Sequence, residues 1–189
     1  MEAFTAAAAK LWPRPTSHIP SVVGLAELLA LAPDAEQRGM LAEVFKVGPD
    51  GKAANREVEL AGRRGTVSGA LQLCVLNWLF LMDEPLVVWS TARPDAAHDV
   101  LIDVRFVIDA SAELRQRVGR INATNGGQEV KLVNGCRLVV RPRWHGKLHG
   151  FSASKVIVDQ ANQDHPDLGH VRAMLAGARD PQAVYGFPV

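Results

Sequence analysis

Apolar and polar positions follow two kinds of pattern along this chain of 189 residues. In some stretches apolar residues recur at helical spacing, which predicts amphipathic helices. Between them lie short runs rich in β-branched apolar residues, which are typical of strands buried on both faces. The predicted helices cover about 21–32, 35–45, 68–81, 94–108, 111–118 and 167–177. The predicted strands cover about 56–61, 86–90, 128–133, 136–142, 155–160 and 182–186.

Helices that alternate with buried strands predict an α/β fold, with a mostly parallel sheet flanked by helices. The pair Asn134-Gly135 stands between two alternating runs, QEVKLV and CRLVVRP, and predicts a β-hairpin inserted into this pattern. Residues 1–20 contain three prolines and are predicted to form an N-terminal arm. We expect residues 21–189 to form one domain, because the length suits a single core.

Composition narrows the class of protein. Hydrophobic residues make up 48% of the chain and the formal net charge is +1, which favours a well-packed domain over a general polyanion binder. The most apolar stretch, Leu71 to Trp89, is interrupted by polar residues, and the first residues lack a signal-peptide pattern. Cys74 and Cys136 lie in apolar settings, as reduced, buried thiols do. We therefore expect a soluble, cytoplasmic protein.

A glycine-containing turn is predicted between the strand at 56–61 and a helix that begins near Ser68. A helix N-terminus after such a turn favours a phosphate group. The octet AGRRGTVS ends at Ser68 and aligns with the phosphate-loop signature, but only Ser68 matches it, and Val67 stands at the lysine position. The alternative is a surface turn with two solvated arginines, with Ser68 as a helix N-cap.

The strand KVIVDQ places Asp159 at its carboxyl end, the edge where parallel sheets bind ligands. An acid there can hold Mg²⁺ through water. The alternative is a strand-end acid hydrogen-bonded to a neighbouring loop. The loop RPRWHGKLH, which includes Arg141 and Arg143, has the basic and aromatic composition of a nucleic-acid contact, but a solvated loop is the preferred interpretation.

The order of segments from Glu57 to Val189 resembles the ATPase domain of actinophage-type terminase large subunits, the motors that package viral DNA. Five segments carry the resemblance: REVELAGRRGTVSGALQL, EPLVVWSTARPDAAHDVL, NATNGGQEVKLVNGCRLVVRPR, HGFSASKVIVDQAN and ARDPQAVYGFPV. The resemblance implies a P-loop NTPase-like fold with sites for ATP and Mg²⁺. It also places Gln37, more loosely, where the family has an adenine-reading glutamine.

The resemblance assigns specific residues to the site. Phosphate binding falls to Arg63, Arg64, Gly65 and Ser68, and Mg²⁺ binding to Asp159 and Ser68. The departures lie where the chemistry is performed. Val67 replaces the phosphate-loop lysine, and Gln160 replaces the glutamate that activates water. Because an amide cannot take a proton from water, we expect general-base catalysis to be lost and ATP binding to be weak or lost. No catalytic residue is assigned.

Two functions remain open. In the first, the chain is a catalytically impaired terminase ATPase component of viral DNA packaging in the host cytoplasm. In the second, it is a non-catalytic terminase-like module that binds viral DNA, the portal or the small terminase subunit. A decayed gene fragment is a third alternative. Because Val189 falls where the family's coupling strand ends, we expect no nuclease domain, and a separate chain would have to supply one.

Overall fold

The computed structural model describes residues 17–143, 148, 150–161 and 168–189. The helices are α1 (Ile19–Leu28), α2 (Ala35–Val44), α3 (Arg64–Phe80), α4 (Pro94–Ala110), α5 (Ala112–Arg117) and α6 (Leu168–Leu175). The strands are β1 (Glu57–Gly62), β2 (Leu86–Thr91), β3 (Val118–Asn122), β4 (Glu129–Leu132), β5 (Arg137–Pro142), β6 (Lys155–Val158) and β7 (Gln182–Pro188).

The seven strands form one sheet in the order β1-β7-β6-β2-β5-β4-β3. The first five strands in this order, β1, β7, β6, β2 and β5, pair in parallel. Strand β4 pairs antiparallel with both β5 and β3. This architecture confirms the predicted α/β fold with a mostly parallel sheet and an inserted hairpin. Strand β7, the last in sequence, lies between β1 and β6.

Helices cover both faces of the sheet. Residues from α1 to α5 pack in one hydrophobic cluster against the first face, and α6 contributes to a second cluster on the opposite face. The central strand β2 shows why its sequence is continuously apolar. Val87 and Trp89 belong to the first cluster, whereas Leu86 and Val88 belong to the second. A strand buried on both faces has no solvent side on which to place polar residues.

The Asn134-Gly135 turn joins β4 to β5 as predicted. Gly135 has a φ of +93°, a conformation that a residue with a side chain rarely adopts. Its N–H donates to the Leu132 carbonyl at 3.1 Å, and the Leu132 N–H donates to the Cys136 carbonyl at 2.8 Å. These bonds enclose a three-residue turn that ends in a left-handed glycine, a common hairpin connection.

Several boundaries differ from the sequence prediction. Strand β3 was missed, because helix 111–118 was extended over Val118, where β3 begins. The strand lies at the sheet edge with mixed exposure, so it lacks the alternation that marks a half-buried strand. Residues 19 and 20 of the predicted arm belong to α1, and residues 1–16 lie outside the described residues.

Other local expectations are confirmed. Ser111 caps α5, since its hydroxyl accepts from the Leu114 N–H at 3.3 Å. Cys74 and Cys136 are buried free thiols.

No helix in the described ranges is long and apolar enough to cross a membrane.

A buried lysine joins three connections at the amino ends of the strands. Lys155, the first residue of β6, is 1% exposed. Its ammonium group lies 2.8 Å from the Asp180 carboxylate and 3.4 Å from that of Glu84. The Asp180 carboxylate also accepts from the Ala53 N–H at 3.0 Å. One cation thus fixes the connection before β2, the connection before β7 and the segment that follows α2.

Candidate functional site

A cavity of about 380 Å³ opens between the amino-terminal halves of α3 and α4, above the carboxyl ends of β2 and β6. Its polar and charged lining residues are Arg64, Ser68, Gln72, Arg93, Asp99, Asp103, Asp159 and Gln160, with Trp89 among the apolar ones. The cavity brings together four predicted site residues, Arg64, Gly65, Ser68 and Asp159. Arg63 does not line it. That side chain is 81% exposed and lies 3.9 Å from Glu36.

The predicted turn before α3 is wrong. Helix α3 begins at Arg64 and not near Ser68, so only Arg63 separates it from the end of β1. The physical reason is burial: Thr66 and Val67 are 7% and 0% exposed, and a helical first turn is what places them against the core. Most of the octet that aligns with a phosphate loop is therefore helix. A loop whose backbone N–H groups wrap around a phosphate chain is absent from this part of the structure.

Val67 faces the sheet and not the cavity. A Cβ atom placed on Gly186 of β7 would lie 3.2 Å from a Val67 methyl group and 3.0 Å from one of Leu71. These distances show that α3 packs directly on the backbone of β7. The Val67 side chain is therefore part of the core between α3 and β7.

Gln37 packs on the start of α3. Its amide nitrogen donates to the Thr66 carbonyl at 3.3 Å. Its side-chain oxygen accepts from the Asp34 N–H at 3.1 Å, while the Asp34 carboxylate accepts from the Gln37 N–H at 2.8 Å. Gln37 thus completes a capping box on α2 and links that helix to α3.

Asp159 follows β6 directly, as predicted, and is only 6% exposed. Its N–H donates to the Ser90 carbonyl of β2 at 2.9 Å. Burial raises the pKa of its carboxyl, and the indole N–H of Trp89, the N–H of Gln160 and the charges of Arg143 and Arg64 partly oppose that rise. The Trp89 N–H faces this carboxylate without reaching hydrogen-bond geometry to an acceptor among the described residues.

Gln160 has a left-handed backbone, with a φ of +51°. A residue with a side chain holds this conformation only when its surroundings require it. Here the Arg143 guanidinium donates to the carbonyls of Asp159 at 2.6 Å, Gln160 at 3.0 Å and Ser90 at 3.3 Å. Arg143 therefore holds the carboxyl ends of β2 and β6 together beneath the cavity.

This role of Arg143 was missed in the sequence, where the arginine was assigned to a solvated basic loop. Its position directly after β5, at the same sheet edge as Asp159, is the signal that could have revealed it. Arg141 is also engaged, because it donates to the carbonyls of Gln128 and Val140, each at 2.7 Å. The remaining basic and aromatic residues of that loop, Trp144, His145, Lys147 and His149, lie outside the described residues.

The charges of the cavity oppose a triphosphate. Three carboxylates, those of Asp99, Asp103 and Asp159, face two arginines, and Arg93 is already paired with Asp95 at 3.2 Å. Burial and the neighbouring Asp99 raise the pKa of Asp103, as expected where negative charges crowd together. Within the described ranges no group of three or more His, Cys, Asp or Glu side chains is arranged to hold a metal ion. The cavity lining thus contains three carboxylates and two arginines but no lysine among the described residues.

The buried carboxyl of Asp159 should make the stability of the fold depend on pH. Its folded pKa lies above the unfolded value of about 3.9, so the stability tied to the protonated form is complete below that value and is lost as pH rises through the folded pKa. Asp159→Asn removes that loss. We expect the melting temperature of the variant minus that of the wild type to increase from about pH 4 to about pH 7. Thermal unfolding across this range checks it, and a difference that stays constant would contradict it.

Comparison with solved structures identifies the fold. The large terminase of bacteriophage HK97 matches with a TM-score of 0.75 and 14% identity, over 90% of this chain and 37% of that protein. A mutant ATPase domain of the Thermus phage P74-26 large terminase matches with a TM-score of 0.63 and 16% identity, over 88% of this chain and 69% of that one. The large terminase of another thermophilic bacteriophage matches with a TM-score of 0.54 and 12% identity, over 81% of this chain and 37% of that one.

No protein-family model matches the sequence, and no curated protein matches it. This chain spans 37% of the HK97 protein, so the comparison concerns only part of that molecule. At identities of 12% to 16% the likeness is one of fold. It agrees with the resemblance read from the ordered segments of the sequence. The chain has the fold of the ATPase domain of phage large terminases.

Proposed function

We propose that this chain is a terminase-like domain of viral DNA packaging, acting in the host cytoplasm, in which nucleotide hydrolysis has been lost. Its partners would be viral DNA, the portal or the small terminase subunit. The fold shared with phage large terminases supports the assignment to packaging. The chemistry of the cavity supports the loss of hydrolysis.

The start of α3 carries the proposal. Phosphoryl transfer depends on positioning and on positive charge around the transferred group. Here the helix starts at Arg64 and Val67 is fully buried. Neither a wrapping loop nor a lysine is therefore available at that point. Arg64 and the free N–H groups of the first helical turn are what remain to attract a phosphate.

Gln160 supports the same conclusion from the other side of the cavity. It follows Asp159, at the position where the family's water-activating glutamate is expected, and it lines the cavity. A glutamine can orient a water molecule but cannot accept its proton, so the general base is missing. The two losses concern different steps of the reaction, and repairing one would leave the other.

Thermal unfolding with and without Mg-ATP tests the proposal. A ligand that binds only the folded state raises the melting temperature. We expect a dissociation constant for Mg-ATP above about 5 mM. In that case about 5 mM Mg-ATP should raise the melting temperature by less than about 2 °C. Hydrolysis should stay at the level of a protein-free blank.

One control variant shows whether a change in melting temperature comes from binding in the cavity. Arg64 is exposed and lines the cavity, so Arg64→Gln should fold normally and remove the main attraction for phosphate. Phosphate release above the blank would overturn the proposed loss of hydrolysis. A rise of several degrees in the wild type that disappears in Arg64→Gln would show that the cavity still binds ATP. That outcome would favour the other candidate, an ATP-binding packaging component whose partner supplies the missing catalytic groups.

A further inference from the structure

One stripe of α4 is exposed and lacks a packing partner in the described structure. Asp99, Ile102, Asp103 and Phe106 are spaced at i, i+3, i+4 and i+7, so they lie along one face of the helix. Ile102 is 50% exposed and Phe106 is 75% exposed. The opposite face of α4 is buried in the core. Among the described residues, the stripe is therefore an exposed surface on which apolar and acidic side chains alternate.

The two acids of this stripe carry like charges close together. Asp99 and Asp103 are four residues apart, a spacing at which like charges destabilise a helix. Neither forms a salt bridge with another residue in the part of the chain that the structure describes. The other acids of α4 contrast with them: Asp95 is paired with Arg93, and Asp109 lies 3.2 Å from Arg105. The unpaired acids are the two that border the exposed apolar residues.

The stripe is continuous with the cavity. Asp99 and Asp103 form part of its lining, together with Val100 and Val104 of the same helix. A chain segment lying along α4 could thus cover Phe106 and Ile102 and also direct a side chain towards the cavity. The carboxylates on this route would attract a cationic side chain and repel a phosphate.

We propose that the α4 stripe of Asp99, Ile102, Asp103 and Phe106 binds a basic amphipathic segment of a partner protein. Apolar side chains of that segment cover Ile102 and Phe106, and its lysines or arginines pair with Asp99 and Asp103. Nucleic acid is disfavoured as the occupant, because its phosphates would face these carboxylates. The inference rests on the proposed function and deepens it, since it names the chemistry of the packaging partner.

A designed peptide tests this surface. The probe is an 18-residue amphipathic helix of leucine and lysine, labelled for fluorescence anisotropy, beside a matched peptide with glutamate in place of lysine. We expect the lysine peptide to bind and the glutamate peptide not to bind. Binding of the lysine peptide should weaken as the salt concentration is raised. Phe106→Ser, and separately the double variant Asp99→Asn with Asp103→Asn, should each weaken binding by about tenfold or more.

Matched variants elsewhere show whether the effect belongs to the stripe. Val133→Ser removes an apolar residue that is 69% exposed on the β4–β5 turn, and Asp109→Asn removes an acid of α4 that is already paired. Each should leave the affinity within about twofold of the wild type. Both are surface changes, so folding is retained.

Several outcomes would overturn the inference. These are no binding of the lysine peptide at about 100 µM, equal binding of the glutamate peptide, or equal loss in the Val133 and Asp109 controls. Self-association of the protein that Phe106→Ser abolishes would make a second copy the occupant, and DNA binding lost in the same variants would make it nucleic acid. Either would contradict the inference. None of these outcomes involves nucleotide, so they are independent of the Mg-ATP measurement that tests the proposed function.

Discussion

Replacing Val67 by lysine, the residue that a phosphate loop would carry there, is expected to lower the free energy of unfolding by about 3 kcal/mol or more. Val67 is 0% exposed, and its side chain lies against the backbone of β7 at Gly186. An ammonium group there would start in the packed core between α3 and β7, where its hydration is lost. The variant should also fail to gain ATP hydrolysis, because Gln160 cannot act as the general base.

Urea denaturation of Val67→Lys and of Gly65→Lys measures the effect. Gly65 is exposed on the same helical turn, and a Cβ atom there would meet nothing within 4 Å. The control should therefore stay within about 1 kcal/mol of the wild type. A Val67→Lys protein as stable as the control, with a melting temperature that Mg-ATP raises, would show that α3 can reopen into a phosphate loop.

Removing the charge of Lys155 is expected to destabilise the fold by about 3 to 5 kcal/mol, because the substitution leaves two carboxylates without their buried partner. The lysine is 1% exposed, and the side chains of Asp180 and Glu84 are 24% and 12% exposed. Little solvent is present to screen those acids once the cation is gone. Lys155→Ala should therefore loosen the connections at the amino ends of the strands.

Two further variants separate the causes of this loss. Lys155→Met keeps most of the apolar stem, so its loss of stability reports the missing charge more than the missing packing. Arg172→Ala removes a surface ion pair with Glu57, whose partners are 66% and 45% exposed, and should change stability by less than about 1 kcal/mol. Urea denaturation of the three variants checks this ranking. Equal effects for Lys155→Met and Arg172→Ala would mean that the buried pair contributes no more than a surface one.

Lys155 and Asp159 lie at opposite ends of β6. Lys155 begins β6 and Asp159 follows it, so one short strand links the buried ion pair to the cavity. Arg143 secures the carboxyl end of that strand through backbone carbonyls. Both ends of β6 are thus held by buried polar contacts.

The sequence by itself determined the fold class. Continuous apolar runs, helical spacing and the Asn134-Gly135 turn are local signals, and each depends on residues close together in the chain. They predicted the parallel sheet, the hairpin and the position of Asp159 at a strand end. The assignment of Val67 and Gln160 to the family's lysine and glutamate positions rests on the aligned order of segments and stays a prediction.

Only the tertiary structure decided where the side chains point. Whether the octet that ends at Ser68 forms a loop or a helix depends on the burial of Val67 against β7, a strand more than a hundred residues later in the chain. Arg143 looked like a solvated charge until the fold placed three backbone carbonyls around it. Lys155 begins a buried strand, and only the fold brings Asp180 and Glu84 to its ammonium group. Long-range packing governs all three positions, because the free energy of burying a group depends on neighbours that the local sequence does not contain.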